Sequence, residues 1–134
     1  MAVTRVWTGN GGKLLDFSMS WMDKRWSAES GLLDNNFTLN SHVRSTAWYA
    51  TGLLMRRNPG DIEKAEKALR ALLSYQWKDE NKMNYGSWAR HPGEFVSQPE
   101  DPQEAKHFDP NWREFIAATL ILLLEEFPDS ISPE

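Results

Sequence analysis

The run FIAATLILLL, Phe115 to Leu124, is ten residues long and carries one hydroxyl and no charge. A helix through it is apolar around its whole circumference, so it needs cover on every side. A membrane-spanning helix needs about twenty such residues. The run therefore predicts a helix buried in protein. A second stretch has the same character, AWYATGLLM from Ala47 to Met55. Two helices of this kind in one chain must both be inner elements with neighbours around them.

The rest of the chain is punctuated clearly enough to place four helices. The first runs from about Lys13 to Trp26, after the GNGG breaker, with Leu15, Met19, Met22 and Trp26 at helical spacing. Gly31 and the asparagines that follow interrupt the pattern. The second runs from about His42 to Arg57, with Ser41 as N-cap and Pro59-Gly60 stopping it. The third runs from about Ile62 to Trp77 and is capped by Asp61. Its stripe is Ile62, Ala65, Leu69, Leu72 and Leu73. Its wet face carries the pairs Glu63–Lys67 and Glu66–Arg70. The fourth runs from about Pro110 to Phe127, with Asp109 as N-cap and Pro110 in the first turn. Between the third and fourth lies a loop from Lys78 to Phe108, long enough to suggest a function.

Buried and half-exposed helices alternate, which predicts an all-α fold of antiparallel hairpins in a two-layer array. ATGLLM and ATLILL repeat at an offset of 68 residues, and the same offset sets Ser41 on Asp109. Two hairpins do not cover two all-apolar helices. The expectation is an exposed apolar helix edge, and with it self-association or a place within a larger toroid.

Length and composition narrow the function. A chain of 134 residues predicts a single helical domain over 1–134, large enough to bury a core. There is no cysteine, so thiolate metal sites and disulfides are excluded. The net charge is -4 and no basic stripe occurs, which argues against nucleic acid. The N-terminus lacks an apolar leader, and with the absent cysteines this favours the cytoplasm. The three histidines show no metal-ligand spacing, and no phosphate loop or dinucleotide fingerprint occurs, so neither metal nor cofactor is expected. Seven tryptophans are a high number for this length. Such rings serve as core anchors or as flat platforms for ligands, and Trp88 and Trp112 are the candidates for platforms.

LLDNNFTLNSHVRSTAWYATGLLMRRN, then YGSWARHPGEF, then FDPNWREFIAATLILLLEEFP resemble the first hairpins of an (α/α)6 toroid, the six-hairpin glycosidase-like class. The resemblance is to uncharacterised fungal members and extends over most of the chain from Leu14. It implies a ligand cleft where the inner helices begin. Glycoside hydrolases, sugar epimerases, polysaccharide lyases and some terpenoid-modifying enzymes share that architecture, so the fold alone implies no reaction.

If the second and fourth helices are inner ones, their N-termini share this cleft. The first entry brings Asp34, Asn35, Asn36, His42 and Arg44. The second brings His107, Asp109, Asn111, Trp112 and Glu114, and the loop adds Tyr85, Trp88, Arg90, His91 and Glu94. Glycoside chemistry needs one carboxylic acid to protonate the leaving oxygen and another as base or nucleophile. Asp34 and Asp109 are the candidate pair, with His42 as a candidate general base. Arg44, Tyr85, Trp88, His91, His107, Asn111 and Trp112 are candidates for holding a small molecule or saccharide. Plainer roles compete: Asp109 as helix cap, Asp34 as turn residue, Arg44 as ion-pair partner. Two other functions stay open, an enzyme acting on a terpenoid or other apolar substrate and a non-catalytic helical interaction domain.

Overall fold

The computed structural model describes residues 7–34, 42–97 and 109–132. Asn35, Asn36, Ser41 and His107 lie outside them. The described residues form α1 (Gly9–Asp23), β1 (Trp26–Ser27), β2 (Leu32–Leu33), α2 (His42–Arg56), α3 (Asp61–Ser74), α4 (Pro92–Ser97) and α5 (Asn111–Glu126). The architecture is mainly helical.

The centre is α2, which packs against α1, α3, α5 and β2. Its buried residues, from Val43 through Thr46, Ala47, Tyr49, Ala50, Gly52, Leu53 and Leu54, take up most of its circumference. Small side chains let its neighbours come close. A Cβ on Gly52 would overlap Met19 Sδ of α1.

α1 begins four residues earlier than the spacing predicts, because GNGG forms its first turn rather than breaking it. The Gly12 amide donates to Thr8 O at 3.2 Å. A Cβ on Gly12 would lie 2.6 Å from Trp7 O, so the turn closes only around glycine. The helix buries Met19, with Leu15 and Met22 packed beside it. On its other side Leu14, Phe17 and Trp21 face solvent, Phe17 at 77% exposure.

Trp26 falls outside α1 and opens a small antiparallel ladder, with Trp26 opposite Leu33 and Ser27 opposite Leu32. Gly31 turns the connecting loop at φ 71°, and its Cβ position lies 2.9 Å from Ala71 Cβ of α3. The loop is held there by Lys67 Nζ, which donates to Ala28 O. Thr46 Oγ1 then ties β2 to α2. It accepts the Leu33 amide at 2.9 Å and donates to His42 O at 2.6 Å.

Asp61 is not the cap of α3. The cap position is Gly60, with φ 84°, and Asp61 is the first helical residue. Its carboxylate takes two hydrogen bonds from Arg56, both at 2.8 Å, and one from the Asn58 amide at 2.8 Å. Arg56 also reaches Asp23 at 2.6 Å, and Tyr49 OH donates to Asp23 at 2.6 Å. One part-buried cluster thus joins the ends of α1 and α2 to the start of α3.

α3 ends at Ser74 because the chain changes partners. Trp77 and Ala89 amides donate to Ser87 O and Tyr75 O at 2.8 and 3.0 Å, and the Gly86 amide returns to Trp77 O at 2.9 Å. The described part of the long loop, residues 78–97, is therefore a hydrogen-bonded return that leads into α4. Its Arg90 carbonyl accepts the Val43 amide at 3.3 Å and so meets the first turn of α2.

α5 packs on α2 through Trp112, Ile116 and Leu123. Burial on all sides, expected from its composition, does not hold among the described residues. Phe115, Ile121, Leu122 and Leu124 are exposed. The reason is that α2 covers one side of α5 and no described element covers the opposite one.

Candidate functional site

The entry of α2 brings Asp34 and His42 together. The β2 ladder is extended by the Asp34 amide, which donates to Arg25 O at 2.7 Å. That places Asp34 Oδ1 3.8 Å from His42 Nε2, too long for a hydrogen bond but close enough for a charge interaction. The Asp34 side chain is 62% exposed, while that of His42 is largely buried.

In the same turn, two residues on, Arg44 lies among aromatic rings from two helices. Its guanidinium carbon is 5.2 Å from the Trp48 ring centre, 5.1 Å from Trp112 and 5.4 Å from Phe115. These distances suit cation–π attraction. Trp48 and Phe115 are exposed, so each presents an open face beside the cation. The pairing follows from spacing. Arg44 and Trp48 are i,i+4 on α2, and Trp112 and Phe115 are i,i+3 on α5.

Trp88 and Trp112 are core residues rather than platforms. Both are nearly covered and belong to the main apolar cluster. Trp88 is drawn in by its bridge to Gln76, and Trp112 by its place on the Ile116 face of α5. Tyr85 stays exposed, and its carbonyl accepts Arg113 Nη2 at 2.6 Å. His91 is engaged locally. Its Nδ1 accepts the Glu94 amide at 3.3 Å, at the start of α4. Asp109 Oδ1 accepts the Asn111 amide at 3.0 Å, but the cap position of α5 is Pro110 and no side chain caps it, so Asp109 sits one residue before the cap position rather than at it, as the sequence predicts. Asn111 is exposed. Among the described residues no hydrogen bond or ion pair links Asp109 to Asp34.

Four buried side-chain polar atoms have no hydrogen-bond partner among the described residues: His42 Nδ1, Arg44 Nε, Ser87 Oγ and Trp88 Nε1. Two belong to the first turn of α2. The other two belong to the segment whose Arg90 carbonyl meets that turn. Among the described residues no group of three or more His, Asp or Glu could hold a metal ion, and no helix is long and apolar enough to cross a membrane.

A cavity of about 630 Å³ opens at the other end of α2 and α5, lined in part by Trp7, Met55, Arg57, Leu122, Glu126 and Phe127. Its arginine is already engaged. Arg57 donates to Leu54 O and to Ser130 Oγ and lies over the Phe127 ring. None of the four unpartnered atoms belongs to a residue lining it.

A family model described as a domain of unknown function, DUF8769, matches residues 12–134. The chain belongs to the DUF8769 family. No curated protein and no solved structure matches it. The DUF8769 match takes in the whole α2 entry, the hydrogen-bonded return and α5.

Trp48, Phe115 and Ser87 are the neighbours that the sequence does not single out. Trp48 and Phe115 sit in helices that read as apolar all round, where every aromatic looks like core. The one available signal is Trp48 four residues after Arg44.

Proposed function

We propose that the chain is a glycoside hydrolase-like domain, built as hairpins of an (α/α) toroid, that binds a saccharide at the N-terminal ends of α2 and α5. Two buried polar atoms without partners in the first turn of α2, His42 Nδ1 and Arg44 Nε, carry this reading. Each such atom costs about 1–3 kcal/mol when left dry, and a sugar's hydroxyls are donors and acceptors at once. Exposed Trp48, Phe115 and Tyr85 offer apolar faces for a sugar ring. Asp34 and Asp109 are the candidate acid and base, with His42 beside Asp34 able to hold or take a proton. Trp88 and Trp112 support the entry from the core.

Titration with a panel of neutral and acidic oligosaccharides is expected to give a saturable change in tryptophan fluorescence, weakened in Asp34→Asn. No saturable response to any saccharide overturns the reading. A response confined to long-chain alcohols replaces it with the apolar-substrate alternative.

A separate observation favours a second reading, a helical interaction domain. α1 carries Leu14, Phe17 and Trp21 on the side away from Met19, and α5 leaves Ile121, Leu122 and Leu124 uncovered. A helix with apolar stripes on two sides suits the middle of a layered array. A second copy of the chain, carrying the same uncovered stripes, is the proposed cover. Sedimentation is expected to show concentration-dependent self-association, reduced by Phe17→Ser with Leu124→Ser. A clean monomer at all concentrations overturns it, and weighs against the toroid as well.

A further inference from the structure

We infer that the ligand of the α2 entry carries a carboxylate, as in a uronate-containing saccharide, and that Arg44 is its clamp; this rests on the saccharide reading above. Arg44 stands apart from the arginines that have found their carboxylates. Arg56 holds Asp23 and Asp61, and Arg90 holds Glu94. Among the described residues Arg44 makes no ion pair, and its Nε is buried without a hydrogen-bond partner. Its charge is faced instead by Trp48, Trp112 and Phe115. Aromatic faces stabilise a cation but leave the in-plane N–H fork of a guanidinium unused, and that fork matches a carboxylate in two-point geometry.

The location strengthens the case. Arg44 lies in the first turn of α2, where the helix dipole disfavours a cation, and no acidic residue occupies that turn to offset it. Asp34 is the facing carboxylate, and it lies mostly in water, 3.8 Å from His42. A cation with no carboxylate partner at a helix N-terminus favours an anionic ligand. Trp48, 51% exposed beside the guanidinium, gives the sugar ring a face to stack on while its carboxylate reaches Arg44.

The test is a matched pair, galacturonate oligomers against galactose oligomers of equal length, titrated into the whole chain by calorimetry at low and high salt. The expected result is at least about tenfold tighter binding of the acidic member, a difference that salt shrinks. Arg44→Gln is expected to remove the preference for the acidic member, whatever it does to binding of the neutral one, and Arg44→Lys to restore part of that preference. Equal affinity for both members overturns the carboxylate and leaves the saccharide reading standing. Binding of neither overturns the saccharide reading itself. A preference that survives in folded Arg44→Gln overturns the assignment to Arg44. If Arg44→Gln does not fold, the matched pair on the unaltered chain still decides the carboxylate, and Arg44→Lys decides the residue.

Discussion

Arg56→Ala is expected to lower folding stability by about 3–5 kcal/mol, read as a fall in the denaturant midpoint at unchanged slope. Arg56 is the last residue of α2 and binds two carboxylates at once. Asp61 receives it through Nε and Nη2 and is only 2% exposed. Without the guanidinium, Asp61 keeps the Asn58 amide but remains a buried charge with no counter-ion. The same change should move the acid limb of unfolding. Burial pushes the Asp23 carboxyl up, but hydrogen bonds from Arg56 and Tyr49 together outweigh it and hold the group below the usual carboxylate range. A group lowered by folding stabilises the fold above its unfolded value and loses that effect as pH falls through its folded value. In Arg56→Ala burial acts against only the Tyr49 hydrogen bond and the charge of Lys64, so acid unfolding followed by circular dichroism should begin at higher pH. An unchanged midpoint and an unchanged acid limb would show that the cluster adds nothing to the fold. Arg56→Met with Asp61→Asn should recover part of the loss, because it removes the stranded charge as well as its partner.

The parts legible in sequence were those with a period. α2 and α5 lie within about a residue of the positions that caps and prolines predict, and α3 begins where its stripe begins. The ladder at Trp26–Leu33 was not legible, because strands of two residues have no alternation to read. Asp61 was misread because a cap and an ion-pair acceptor look alike at a helix start; Arg56, five residues back across the Pro59-Gly60 turn, is visible as its partner only in three dimensions. In the site, the nearness of Asp34 and His42 followed from reading both at one helix entry. The tryptophans did not follow. Uniform apolarity in α5 erases the period that would have put Trp112 on the Ile116 face, and left Phe115 and Trp48 unmarked as the rings with open faces.

Trp112→Ala is accordingly expected to behave as a core truncation, costing about 3–5 kcal/mol in a thermal or denaturant melt. Trp112 is 5% exposed, packs within the cluster that holds Ile116 and Leu123, and sits where α5 meets α2. Its removal opens a cavity at that joint and takes away one of the three rings around Arg44. A lost ligand response in this variant would therefore report a loosened fold before it reported a lost contact. Trp48→Ala is the discriminating comparison. Its ring is half in water, so its stability should stay within about 0.5 kcal/mol of the unaltered chain, while saccharide affinity should fall with the open face. Trp112→Ala melting like the unaltered chain would mean that the α2–α5 joint is not part of the core. Trp48→Ala binding as tightly as the unaltered chain would move the sugar face from Trp48 to Phe115 or Tyr85, the other exposed rings of the entry. Stability thus separates the two tryptophans before any ligand is known, and affinity then assigns the contact.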